Sequence, residues 1–159
     1  LVRKAEQMKL TNVTMLDAVP KAAVVNYISV ADVALINLKK SDTFKKVLPS
    51  KIFENAAMGK PILLGVEGEC QQIIEEHGAG LCFEPENEKD FLTKIEIFKN
   101  QPEVYQNCKT GAQTMARIFN RHEFALRLLK IILSVAFDTT IESSSKRDLV
   151  KELNPKKHQ

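Results

Sequence analysis

The feature that most constrains this chain is a regular alternation of short apolar runs with longer stretches of helical periodicity. Asn12 to Leu16, Asp32 to Leu38, Pro61 to Gly65 and Gly80 to Phe83 have the length and composition of strands. Between them, Val24, Val25, Ile28 and Ala31 recur at helical spacing behind Pro20, so Lys21 to Val30 reads as a helix with one apolar face. Ile52, Phe53, Ala56 and Ala57 form a stripe that starts at Pro49-Ser50 and stops at Gly59. Cys70, Ile73 and Ile74 mark a shorter helix closed by Gly78. Asn87 is placed to cap a helix carrying Phe91, Leu92, Ile95 and Phe98, Pro102 opens another toward Ile118, and a last helix runs from about Arg121 to Phe137. Val2 to Leu10 reads as the polar end of a helix, and Lys39 to Leu48 as a loop. The continuous run Val33-Ala34-Leu35-Ile36 suits a parallel strand covered on both faces. Together these predict an α/β fold, a parallel sheet flanked by helices.

Size and composition narrow the partners. A chain of 159 residues with 44% apolar side chains closes one core, and the reading is a single domain over 1–137 with a polar, Ser- and Lys-rich tail over 138–159. A net charge of +3, with acids and bases mixed along the chain, supplies no block that would track nucleic acid. Cys70, Cys82 and Cys108 are odd in number and have neither disulfide nor metal-clamp spacing, which fits a reducing cytosol. No apolar run reaches the roughly 20 residues that span a bilayer, and the first residues are not those of a signal peptide. The chain starts with Leu1, as a fragment would.

In sheets of this class, ligands gather at the loops after the carboxyl ends of strands, where helix starts aim free N–H groups outward. Asp17 to Pro20, Lys39 to Pro49 and Val66 to Glu69 are the loops of that kind. The middle one carries the most chemistry: Pro49-Ser50-Lys51 brings a hydroxyl, a cation and free amides to one helix start, which suits a diphosphate. Glu54, one turn on, is spaced to accept hydrogen bonds from ribose hydroxyls. The plainer alternative makes Ser50 an N-cap and Lys51 and Glu54 a solvated helix face. The Ser50–Glu54 interval is four residues rather than the three of a capping box, so capping does not account for Glu54.

The run Leu48 to Leu63, Leu-Pro-Ser-Lys-Ile-Phe-Glu-Asn-Ala-Ala-Met-Gly-Lys-Pro-Ile-Leu, resembles the signature of retaining two-domain glycosyltransferases (GT-B type, family 4-like). The flanks agree: Val19-Pro20-Lys21, Ala31-Asp32-Val33, and Gly78-Ala79-Gly80-Leu81 followed by Pro85-Glu86-Asn87. The likeness covers about Asn12 to Leu133 and is closest to the enzymes of bacterial surface polysaccharide synthesis. It implies a Rossmann-like C-terminal, donor-binding half whose first strand and helix are absent, together with the N-terminal acceptor domain. The donor it implies is a nucleotide-diphosphate sugar, UDP before GDP, and the acceptor is lipid-linked or a growing polysaccharide. It also implies a place at the inner face of the membrane for the full enzyme, no metal for donor binding, and a chain inactive by itself.

Carried over residue by residue, the resemblance puts Glu54 on the donor ribose, Ser50 and Lys51 near the diphosphate, and the backbone around Val19 beside the nucleobase. Lys51 is then the group that stabilises the departing nucleoside diphosphate. The family often has a second glutamate eight positions before the one matching Glu54; Lys46 stands there, and the nearest upstream acid is Asp42. Glu69 is a weaker donor candidate and reads first as a helix N-terminal acid. His77 reads as closing a helix beside Gly78, while His122 and His158 lie far along the chain. Cys70 reads as a small apolar packing group, and the stripes Phe91 to Phe98 and Phe124 to Leu133 read as core faces. Three other functions stay open: the donor-binding subunit of a split transferase, half of a sugar-nucleotide epimerase, and a noncatalytic interaction domain.

Overall fold

The computed structural model describes residues 2–136. Helices α1 (Val2–Gln7) and α2 (Lys21–Val30) precede strand β1 (Ala34–Asn37), and a 3₁₀ turn (Asp42–Lys46) leads into α3 (Ser50–Ala57). Strand β2 (Ile62–Gly65), α4 (Glu69–Glu76) and β3 (Gly80–Cys82) follow, then α5 (Glu88–Asn100), α6 (Pro102–Ile118) and α7 (Arg121–Ala136). The strands lie in the order β1-β2-β3 and all pair parallel, with Ala34 opposite Ile62 and Ile62 opposite Gly80. The expected parallel α/β sheet is present. The described residues fall into two compact units, 2–116 and 117–136.

Burial explains the sheet. All four residues of β2, the central strand, are buried, because helices cover both of its faces. On one face Leu63 and Phe83 pack with Phe98 of α5 and Cys108 of α6, with Leu81, Phe91 and Tyr105 at the margin. The alternate residues Ile62 and Leu64 point the other way, where α3 and α4 bring Ile52, Ala56, Cys70, Ile73 and Ile74. Ile52, Ile62, Leu64 and Ile74 are fully buried, and each contributes about 1.5–3 kcal/mol by the transfer of its side chain out of water. The Tyr105 hydroxyl donates to the carbonyl of Asp32 at 3.1 Å and ties α6 to the entry of β1. Asn87 caps α5 as expected, its side-chain oxygen accepting from the Asp90 N–H at 3.1 Å.

Five expectations are corrected. The run Val33-Ala34-Leu35-Ile36 is not covered on both faces: Ala34 and Ile36 are buried, but Leu35 is 56% exposed. Asn12 to Leu16 is not a strand: Val13, Met15 and Leu16 are exposed, and among the described residues no ladder joins this segment to β1. Alternating β-formers supply propensity, but a strand exists only with a partner. Lys39 to Leu48 is not a plain loop, since Ser41 accepts from the Thr43 N–H at 3.3 Å and starts the 3₁₀ turn. The Phe124 to Leu133 stripe is not a buried face: Phe124, Leu126, Leu128, Leu129, Ile132 and Leu133 are 41–58% exposed, and Ile131 is half-buried. Ser50 is not an N-cap: Pro49 holds that position without a side-chain hydrogen bond, and Ser50 is the first helical residue. The expected tail from Asp138, Phe137 at the end of the last helix, and His158 lie outside the described residues.

Candidate functional site

The two crossover helices of the sheet start at its carboxyl edge. Parallel β1 and β2 end at Asn37 and Gly65, and the chain re-enters helix at Ser50 and Glu69. Ser50, Lys51 and Glu54 therefore share the first turns of α3, and all three are exposed. The amides of Ser50 and Lys51 precede the first hydrogen bond of the helix, which Ile52 donates to the carbonyl of Pro49 at 3.1 Å. Among the described residues the Ser50 hydroxyl, the Lys51 ammonium and the Glu54 carboxylate have no hydrogen-bond or ion-pair partner. The helix start thus presents a hydroxyl, a cation and unengaged amides together, with a carboxylate one turn further on.

The other sequence-derived residues are placed less closely. Glu69 is the exposed first residue of α4, in the position of a helix N-terminal acid. Val19 is half-buried and precedes Pro20, the N-cap of α2. The far end of α2 is fixed beside the start of β2, where the Lys60 ammonium donates to the Ser29 carbonyl at 2.8 Å. A ten-residue helix puts Val19 about 15 Å from that point. Lys46 lies exposed in the last turn of the 3₁₀ segment, and Asp42 is engaged by the Lys45 ammonium at 2.8 Å. His77 closes α4 through its N–H to the carbonyl of Ile73 at 3.2 Å, beside Gly78 in the left-handed region.

What sequence spacing does not reveal is an ionic network across the same edge. The Lys40 ammonium lies 2.7 Å from Glu84 and 3.5 Å from Glu67, and the Lys45 ammonium lies 3.9 Å from the other oxygen of Glu67. These pairs join the loops that follow β1, β2 and β3. Glu84 is itself fixed, accepting from the Asn87 side-chain amide at 2.9 Å while its N–H donates to Asp90 at 2.8 Å. The hydrogen bond and charge of Lys40 hold the Glu84 carboxyl below its ordinary range, and those of Glu84 raise the Lys40 ammonium. Lys45 lowers Asp42 in the same way and is raised by it.

A separate open cavity of about 180 Å³ lies between β1 and α5, walled by Leu35, Asn37, Phe83 and Phe91 and rimmed by Glu86 and Glu88. Phe83 and Phe91 meet edge to face at 5.2 Å. The three thiols are free, and burial pushes Cys70 up to about 11 and Cys82 up to about 12. Among the described residues no group of His, Cys, Asp or Glu is arranged to hold a metal ion, and no helix is long and apolar enough to cross a membrane.

A parallel sheet flanked by helices, with helix starts at its carboxyl edge, defines a Rossmann-like α/β fold of the kind found in the C-terminal half of GT-B enzymes. The family of glycosyl transferases group 1 matches residues 1–115, and the chain belongs to it. Glycosyl transfer, and with it a sugar donor, follows from that membership. No curated protein and no solved structure matches the chain.

Proposed function

We propose that this chain is the donor-binding part of a retaining glycosyltransferase that uses a nucleotide-diphosphate sugar, with UDP as the favoured carrier and GDP next. The observation that carries the reading is the start of α3, where Ser50, Lys51 and two free amides stand unengaged and Glu54 follows one turn later. A diphosphate at the helix tip gains from the Lys51 charge, from the amides and from the helix dipole, roughly half a positive elementary charge. Glu54 accepts from the ribose hydroxyls, one turn away from the phosphates. The backbone near Val19 lies beside the base, and Glu69 is a secondary contact to the donor. During transfer Lys51 stabilises the charge that develops on the departing nucleoside diphosphate. The acceptor is lipid-linked or a growing surface polysaccharide, bound by a separate acceptor domain at the inner face of the membrane.

A thermal-shift comparison of UDP and GDP tests this reading, because a ligand that binds only the folded state raises its stability with concentration. A saturable upward shift, larger for UDP than for GDP, is expected. The absence of a shift with either nucleotide contradicts a donor site. Turnover of the free nucleotide sugar without any acceptor would instead point to an epimerase half. Turnover only after a separate acceptor-binding chain is added would point to a split transferase.

A further inference from the structure

We propose that Lys40, through its bridge to Glu67 and Glu84, is a positioning residue that sets the path of the strap delivering Ser50 and Lys51 to the donor; the role rests on the donor-site reading above. The strap is the segment between β1 and α3, and it has little of its own to hold it. Its 3₁₀ turn contributes no buried residue, and most of its length is exposed. Three observations show what holds it instead.

First, the Lys40 ammonium reaches two other post-strand loops at once, Glu84 at 2.7 Å and Glu67 at 3.5 Å. Second, Glu67 is shared: its second oxygen lies 3.9 Å from Lys45, which also holds Asp42 at 2.8 Å. The chain Glu84, Lys40, Glu67, Lys45, Asp42 therefore braces both ends of the 3₁₀ turn against the sheet edge. Third, the backbone of that turn rests on the β2–α4 loop. A Cβ on Gly68 would run into the Lys45 carbonyl, and Gly68 has a φ of +90°, which side chains rarely adopt. Only four residues separate Lys45 from Ser50, so a shift of the turn is transmitted to the first turn of α3.

Exposed ion pairs add little to global stability, and Lys40 is exposed. The role is therefore local order in the strap, not the strength of the fold. The sign of each pair is also specific: an arginine keeps the positive charge that both carboxylates face, whereas a methionine keeps only the length of the stem.

Hydrogen exchange of the ligand-free protein, read together with UDP affinity, tests the proposal on wild type, Lys40→Met and Lys40→Arg. Lys40→Met is expected to speed exchange of the amides of residues 42–51 and to weaken UDP binding about threefold to fivefold, the ceiling for an exposed pair. Lys40→Arg is expected to restore both. Unchanged exchange in Lys40→Met overturns the brace. Faster exchange with unchanged UDP affinity overturns the positioning role. A wild-type protein that binds neither UDP nor GDP overturns the donor reading itself, and the positioning role with it, and the wild-type arm alone reveals that case.

Discussion

Gly68 and Lys45 are in backbone contact across the carboxyl edge of the sheet, so the start of α4 and the strap before α3 are built as one surface. Gly68→Ala places a methyl group against the Lys45 carbonyl and forces a φ of +90° on a residue with a side chain. The expected loss is about 1–3 kcal/mol, measured as a lower midpoint of urea unfolding. An unchanged midpoint would mean that the strap gives way freely.

Ile74, fully buried in α4, packs on the same sheet face as Ile62 and Leu64. Ile74→Ala is expected to cost about 2–5 kcal/mol, by lost transfer energy and a cavity that the surrounding helices do not close. The same denaturation curve checks it.

Titration of the strap follows from its ion pairs. Lys40 and Lys45 hold Glu84 and Asp42 below their ordinary values of 4.5 and 3.8. A carboxylate depressed in the folded state stabilises above its unfolded pKa, and that contribution is lost as pH falls through the folded value. The Glu84 carboxyl carbon, followed by nuclear magnetic resonance, should therefore titrate below 4.5 in wild type and move back up in Lys40→Gln. A Glu84 midpoint at its ordinary value in wild type would contradict the bridge.

The thiols of buried Cys70 and half-buried Cys82 titrate in the opposite sense. Burial raises Cys70 to about 11 and Cys82 to about 12 from an ordinary value of 9.0. Folding is favoured by these neutral thiols in full below 9.0, and the contribution is lost as pH climbs through the folded values. At pH 8 iodoacetamide is expected to leave Cys70 unmodified in the native protein and to label it rapidly in denaturant. Rapid labelling of native Cys70 would contradict its burial.

Much of this was legible in the residues. Pro61 to Gly65 is a continuous apolar run because β2 is covered on both faces, and Asn87, Gly59 and Gly78 mark helix ends at the positions observed. The α3 start was legible too, since proline, serine and lysine before an apolar stripe have a local meaning. Asn12 to Leu16 misled because strand formation depends on a partner rather than on alternation. The 3₁₀ turn had a local signal, Ser41 with Asp42 at its start and Lys45 and Lys46 at its end, matched to the helix dipole. The Lys40–Glu84 bridge had none, because its members lie 44 positions apart and only the parallel order of the strands brings them together. Exposure of the α7 stripe was equally hidden, since periodicity marks an apolar face without naming what covers it.

Calorimetric titration of UDP into wild type, Lys51→Ala and Glu54→Ala tests the central claim most directly. Saturable binding to wild type, weakened by about 1–3 kcal/mol in each variant while both remain folded, is the predicted result. Equal affinity in all three proteins, or no binding by folded wild type, would contradict a donor site at the start of α3.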